Sequence, residues 1–381
     1  MKEDDPMPPI NILIKPASSA CNMACTYCFY RDVASQREHA CLGLLSIERM
    51  EEVIRSGMEY AEYICSFAFQ GGESTLAGLD FYRGVMELEK KYARPGVRIQ
   101  NSIQTNGYLI DDAWAQFLAE NHFLVGLSLD GPAEIHNRNR VDNAGKGTFN
   151  KVLHAAKLFD KYGVDYNILC VVTGKNARSA EKIYRFYRKQ NFRWLQFIPC
   201  LEPLEAQRGD TAFHLSPREY GAFLIRIFDL WLEDLRHGEY ISIRHLDNYL
   251  SILLGQQPEA CNMTGRCAVQ FVVEGDGGVY PCDFYVLDEW RMGTVGELPF
   301  EKMQQGEAAR RFVEASLRLP ETCRACRYLS ICRNGCRRDR LVLPDGQIDR
   351  NYYCEAYRAF FDARGPQLGQ AAKLIARTRR G

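Results

Sequence analysis

Six short runs of β-type residues recur between Ile10 and Cys200, and helix-spaced segments separate them. The runs are INILIKPA (10–17), CSFAFQGG (65–72), VRIQNSIQTNG (97–107), FLVGLSLDG (123–131), VDYNILCVVT (164–173) and RWLQFIPC (193–200). Each is rich in Val, Ile, Phe or Leu, and most end near Gly, Asn, Asp or Pro. Between them, segments starting at Ser46, Asp111 and Asn176 carry apolar residues at helical spacing. Such alternation builds β–α units on a parallel sheet. Six units fall short of the eight that close a full barrel, so the expected fold is α/β, a partial (β/α)6 TIM-like barrel. Its active site is expected at the carboxyl ends of the strands, where Gln70, Glu73, Gln104, Asn106, Ser128 and Asp130 fall.

Beyond about residue 205 the texture changes. SPREYGAFLIRIFDLWLEDLRHG (216–238) reads as one long amphipathic helix, with Ser216 as N-cap and Pro217 at its first position. FVVEGDGGVYPCDFY (271–285) reads as a hairpin with a Gly-rich turn. The tail KLIARTRRG reads as a frayed basic helix end. The 48 basic and 48 acidic side chains cancel. No global field draws the protein to nucleic acid or anionic lipid, and neither is expected as a partner. No apolar run is long enough to span a bilayer. The start, MKEDDPMPPI, is acidic and proline-rich and has no signal-peptide pattern, so a cytoplasmic location is expected.

Against that background, 15 cysteines call for metal or redox chemistry rather than disulfides. Cys21, Cys25 and Cys28 follow the first strand at C-x3-C-x2-C spacing. Thiolates hold iron–sulfur clusters, normally four per cluster; three ligands leave one iron open, as catalytic metal sites require. Spacing alone also permits a zinc site completed by a distant residue. Eight more cysteines, Cys261, Cys267, Cys282, Cys323, Cys326, Cys332, Cys336 and Cys354, make two sets of four, and two zinc sites suit that number equally well. The remaining four, Cys41, Cys65, Cys170 and Cys200, are scattered. Those in or beside strands read as small buried apolar residues.

CNMACTYC and FQGGE (69–73) resemble the cluster and glycine-rich motifs of the radical S-adenosylmethionine enzymes. Together with IKPASSACNMACTYCFY, NSIQTNG, FLVGLSLDGP, HNRNR, NILCVVT, LQFIPC and VYPCDFYVLD, they resemble the anaerobic sulfatase-maturating enzymes over most of the chain. One departure is Ser74, where that family often has proline. The resemblance implies a radical S-adenosylmethionine domain over 1–235, a loop-rich iron–sulfur (SPASM) domain over 236–364 and a tail over 365–381. It implies three [4Fe–4S] clusters: one on Cys21, Cys25 and Cys28, with S-adenosylmethionine on the open iron. A second falls on Cys261, Cys267, Cys282 and Cys336, and a third on Cys323, Cys326, Cys332 and Cys354.

The same resemblance assigns Asp283 as the catalytic base. Read from the residues alone, Asp283 is more readily a solvated turn aspartate or one bonded to backbone N–H groups, since such turns favour Asp. Tyr30 and Gln70 match positions near the substrate; Tyr27, Gly72, Ser128, Arg140 and Leu201 match the cofactor-binding positions. The implied reaction oxidises a Cys or Ser of a sulfatase, within a Cys/Ser-x-Pro/Ala-x-Arg segment, to Cα-formylglycine. A 5′-deoxyadenosyl radical takes a β-hydrogen, and flavodoxin or ferredoxin supplies the first electron. Two alternatives stand beside this reading: another peptide-modifying enzyme of the superfamily, such as a thioether-forming one, and a non-catalytic zinc-binding module.

Overall fold

The alternating apolar side chains of the first run become β1 (Ile10–Ile14), in which Ile10, Ile12 and Ile14 are buried. The other five runs become β2 (Ile64–Phe69), β3 (Arg98–Thr105), β4 (Leu124–Ser128), β5 (Tyr166–Val172) and β6 (Trp194–Pro199). Six short strands follow: β7 (Ser242–Ile243), β8 (Val272–Val273), β9 (Gly278–Tyr280), β10 (Gly293–Thr294) and the antiparallel pair β11 (Arg340–Val342) and β12 (Ile348–Asn351). This computed structural model describes residues 9–378. The acidic, proline-rich start and the last three residues of the basic tail lie outside the described residues.

The fold is α/β with a mostly parallel sheet, divided between two units that interleave along the chain. The first holds 9–128, 137–166 and 269–312; the second holds 129–136, 167–268 and 313–378. In the first unit the strand order is β10-β9-β8-β1-β2-β3-β4. β8, β1, β2, β3 and β4 run parallel, and β8, β9 and β10 form an antiparallel meander. The hairpin expected over 271–285 is β8–β9. Its parallel pairing to β1 was not legible in the sequence, because two-residue strands carry no periodicity. Helices Ile47–Tyr60 and Leu79–Tyr92 cover this sheet, the former capped by Ser46, which accepts from the Arg49 N–H. Their apolar faces close over an aromatic core in which the Tyr82 ring meets Phe69 at 5.1 Å and Trp114 at 5.3 Å.

In the second unit β5, β6 and β7 run parallel. The long helix is Pro217–Arg236. Ser216 is its N-cap, as the sequence predicts, and Glu219 completes a reciprocal box with it. It packs on helix Cys354–Thr378, where Phe228 meets Phe360 at 5.7 Å and Arg364 holds Asp229 by two hydrogen bonds. The segment from Asn176 differs from expectation. It is two helices, Gly174–Ala177, which starts in a capping box between Thr173 and Asn176, and Ala180–Lys189. Among the described residues no helix is long and apolar enough to cross a membrane.

One buried carboxyl makes the fold pH-sensitive. Burial pushes Glu89, on the inner face of helix Leu79–Tyr92, from 4.5 to about 7, although Asn101 donates to it at 2.9 Å. Below 4.5 both folded and unfolded chains carry its proton. Between 4.5 and about 7 the folded chain keeps a proton that the unfolded chain releases, so this contribution to stability falls as pH rises through that window. Glu89→Gln is expected to remove that loss: its unfolding midpoint should exceed the wild-type value near pH 8 and approach it near pH 5, read by thermal melts.

Candidate active site

The loop after β1 is built to present thiols. Cys21 and Cys25 lie in it, and Cys28 is the N-cap of helix Phe29–Ser35. Residues 24–26 pair with the segment around Arg140: the Ala24 N–H donates to the Val141 carbonyl at 2.8 Å, and the Thr26 N–H to the Asn139 carbonyl at 3.0 Å. The Met23 N–H and the Asn106 amide both point at the Cys21 sulfur, at 3.4 and 3.8 Å. Burial pushes the Cys21 thiol up to about 12 and raises Cys28 as well. A part-buried Cys21 sulfur facing two N–H donors suits sulfur that is charged by ligation to a metal, so this loop fits an iron–sulfur cluster.

The FQGGE motif locks this loop to the sheet. A Cβ on Gly72 would lie 2.1 Å from the Ala20 carbonyl oxygen, and Gly72 has φ +53°, so only glycine fits beside the residue preceding Cys21. The Glu73 N–H donates to that same carbonyl at 2.9 Å. The Glu73 carboxylate is consumed internally: it accepts from Thr75 N–H and hydroxyl, the Thr105 hydroxyl and the Asn106 N–H, at 2.6–3.1 Å. It therefore ties the end of β2 to the end of β3. Asn106 passes the constraint on, donating to Asn22 at 2.8 Å. Of the expected cofactor-binding residues, Tyr27, Gly72, Ser128 and Arg140 are in the first unit. The Arg140 guanidinium lies 5.6 Å from the centre of the Tyr27 ring. Leu201, which follows β6, is in the second.

Sheet register assembles a second group. Ile14 pairs with Val273 on one side and Phe69 on the other, so the next positions, Glu274, Lys15 and Gln70, form a row across three strand ends. Asp283, which follows the β8–β9 hairpin, meets that row. Lys15 Nζ donates to its Oδ1 at 2.5 Å and Gln70 Nε2 to its Oδ2 at 2.7 Å. Lys15 also sits 3.6 Å from the centre of the Tyr30 ring. The Tyr30 hydroxyl donates to Glu274, which Arg37 holds at 2.7 Å. Burial raises the Glu274 carboxyl and lowers the Arg37 guanidinium. Asp283 is 5% exposed, which removes the solvated-turn alternative. Gln70 touches Asp283 directly, whereas Tyr30 reaches Lys15 and Glu274. Sequence reasoning missed Lys15, Glu274 and Arg37. The signal was present as a charge within each of the apolar runs INILIKPA and FVVEG, since a buried charge requires a partner.

In the second unit, Cys323, Cys326, Cys332 and Cys354 line one cavity of about 110 Å³ together with Tyr328, Arg350 and Phe361. Burial raises Cys323 and Cys354 and pushes Cys332 up to about 11. Four thiols around one cavity fit a fully ligated cluster. Cys261, Cys267 and Cys336 are also in the second unit, and the half-buried Cys267 thiol faces the Arg337 backbone and the Arg340 guanidinium. Cys282 is in the first unit. Cys65, Cys170 and Cys200 are buried beside or within strands, as expected of small apolar residues, and Cys41 is exposed.

The Radical SAM superfamily profile matches residues 16–187, and an iron-sulfur cluster-binding domain profile matches 261–327. A cysteine-type anaerobic sulfatase-maturating enzyme of Clostridium perfringens is 47% identical over 369 residues, covering 97% of this chain and 100% of the relative. A serine-type anaerobic sulfatase-maturating enzyme of Bacteroides thetaiotaomicron is 34% identical, covering 94% and 90%. Among solved structures, native anSMEcpe with bound AdoMet and Cp18Cys peptide superposes with a TM-score of 0.92 at 47% identity, covering 97% of this chain and 100% of that one. Gly72→Ala is expected to dislodge the loop that carries Cys21: iron bound per chain, measured after anaerobic reconstitution, should fall below wild type.

Proposed function

The chain belongs to the anaerobic sulfatase-maturating enzymes of the radical S-adenosylmethionine superfamily, and from that premise we propose a cysteine-directed oxidation with Asp283 as its base. The enzyme carries iron–sulfur clusters and uses S-adenosylmethionine to convert a Cys or Ser of a peptide substrate to Cα-formylglycine. The family resemblance implies three [4Fe–4S] clusters: Cys21, Cys25 and Cys28 would hold the one with an open iron. Cys261, Cys267, Cys282 and Cys336 hold the second, and Cys323, Cys326, Cys332 and Cys354 the third. Domain limits at about residues 235 and 364 fit this division of labour.

When bound, these groups supply a 5′-deoxyadenosyl radical for hydrogen-atom abstraction and a sink for the second electron. Tyr27, Gly72, Ser128, Arg140 and Leu201 hold the cofactor, with Arg140 suited to a carboxylate through charge-assisted hydrogen bonds. Tyr30 and Gln70 shape the place of the target residue. The cysteine loses one β-hydrogen atom, its thiol proton passes to Asp283, and one further electron leaves. Water then hydrolyses the resulting thioaldehyde to the aldehyde and hydrogen sulfide.

The observation that carries this reading is the Asp283 carboxylate. It is buried next to Cys282, and both of its oxygens are held by strand-end residues. Helix Phe29–Ser35, which starts at Cys28, packs against it, with the Phe29 ring 5.0 Å from Phe284. A cysteine-type substrate is favoured by 47% identity to the cysteine-type relative against 34% to the serine-type one. The substrate is then a sulfatase segment of Cys/Ser-x-Pro/Ala-x-Arg pattern, the electron donor a flavodoxin or ferredoxin, and the location the cytoplasm.

An anaerobic assay of the reconstituted enzyme with Cys-x-Pro-x-Arg and Ser-x-Pro-x-Arg peptides tests this. Mass spectrometry should find an aldehyde on the target residue, formed faster from the cysteine peptide; an unmodified peptide alongside cleaved cofactor contradicts it. Asp283→Asn should keep cofactor cleavage while formylglycine formation falls by about a hundredfold or more.

A further inference from the structure

We propose that Lys15 is a positioning residue for the base: its ammonium, threaded past Gly71 and seated on the Tyr30 ring, fixes the direction in which Asp283 accepts the substrate proton. This rests on the reading of Asp283 as the base. Lys15 has 0% of its surface exposed, and it directly follows β1, whose three inward-facing residues are all Ile. A buried ion pair is often no more stabilising than packed apolar residues of similar volume, so stability alone does not account for lysine here.

The geometry shows what the lysine does. An ionised carboxylate has two oxygens and about four lone-pair sites. Lys15 occupies one site on Oδ1 and Gln70 one on Oδ2. Two donors on two different oxygens stop the carboxylate rotating, and the sites that remain for a substrate thiol point in set directions. Lys15 is held in turn from two sides. The Tyr30 ring lies 3.6 Å from its Nζ, and that ring is anchored through its hydroxyl to Glu274 and Arg37. At the other side a Cβ on Gly71 would lie 2.6 Å from Lys15 Cγ and 3.0 Å from its Cβ and Cδ. The first glycine of FQGGE thus leaves room for the Lys15 stem, as the second leaves room for the Ala20 carbonyl. In the proton transfer Asp283 gains the thiol proton, Lys15 keeps its own, and no electron passes through either.

The test measures 5′-deoxyadenosine and formylglycine from the same anaerobic reactions with a cysteine peptide. It compares wild type, Lys15→Gln, Gly71→Ala, Asp283→Asn and the Lys15→Gln/Asp283→Asn double variant. Lys15→Gln should form deoxyadenosine near the wild-type rate, while kcat for formylglycine falls about a hundredfold with the peptide KM unchanged, the cost of a misplaced reacting group. Gly71→Ala keeps both charges in the chain and should uncouple the two products in the same way, so it carries the test if Lys15→Gln does not fold. The double variant should be no worse than Asp283→Asn alone, because both changes act through one group. A folded Lys15→Gln enzyme with the wild-type ratio of products overturns the proposal, as does full additivity in the double variant. Wild type that makes deoxyadenosine but no formylglycine overturns the assignment of function itself, and this inference with it.

Discussion

A lysine at the end of an apolar strand must find a carboxylate or leave the core, and much of this site follows from that demand. Lys15 lies 268 residues from Asp283 in sequence, yet the two meet at 2.5 Å with side chains 1% and 7% exposed. The meeting depends on β8 lying against β1, which brings the chain after the β8–β9 hairpin to the carboxyl ends of the parallel strands. The neighbouring pair Arg37–Glu274 is buried as deeply. Two cations and two carboxylates therefore balance around Tyr30. Removing one partner of a buried pair costs about 3–5 kcal/mol through the charge left behind, so the arrangement is coupled rather than a set of separate contacts.

The main frame of the fold was legible in the sequence. All six β-type runs are strands, and the helices beginning at Ser46, Asp111 and Ser216 start at those caps. These elements are long and strongly periodic. What escaped reading was short or distant. β7 and β8 are two residues each. The break after Ala177 spans only Arg178 and Ser179, and apolar spacing runs straight through it. In the site, the strand-end polar residues stood out because they follow β-type runs. Their partners did not, because pairing across the sheet is a matter of register. Glu73 was read with the cofactor motif, and its carboxylate is spent on Thr75, Thr105 and Asn106.

The cysteines divide along the same chemical line. Cys21, Cys25 and Cys28 lie in a loop whose glycine and hydrogen bonds hold three thiols and supply no fourth from the motif itself. Cys323, Cys326, Cys332 and Cys354 surround one cavity as a complete set. An incomplete set suits a centre that binds a reactant, and a complete one suits electron transfer. Asp283 stands directly after a cysteine of the remaining set, so the group proposed to receive the proton is one residue from a group proposed to receive an electron.

On the proposed mechanism, a β-hydrogen of the target cysteine leaves as an atom. A peptide deuterated at the cysteine β-carbon tests this step. After anaerobic turnover, deuterium should appear in 5′-deoxyadenosine and the peptide should carry a formylglycine. Modified peptide beside deoxyadenosine free of deuterium would contradict the account.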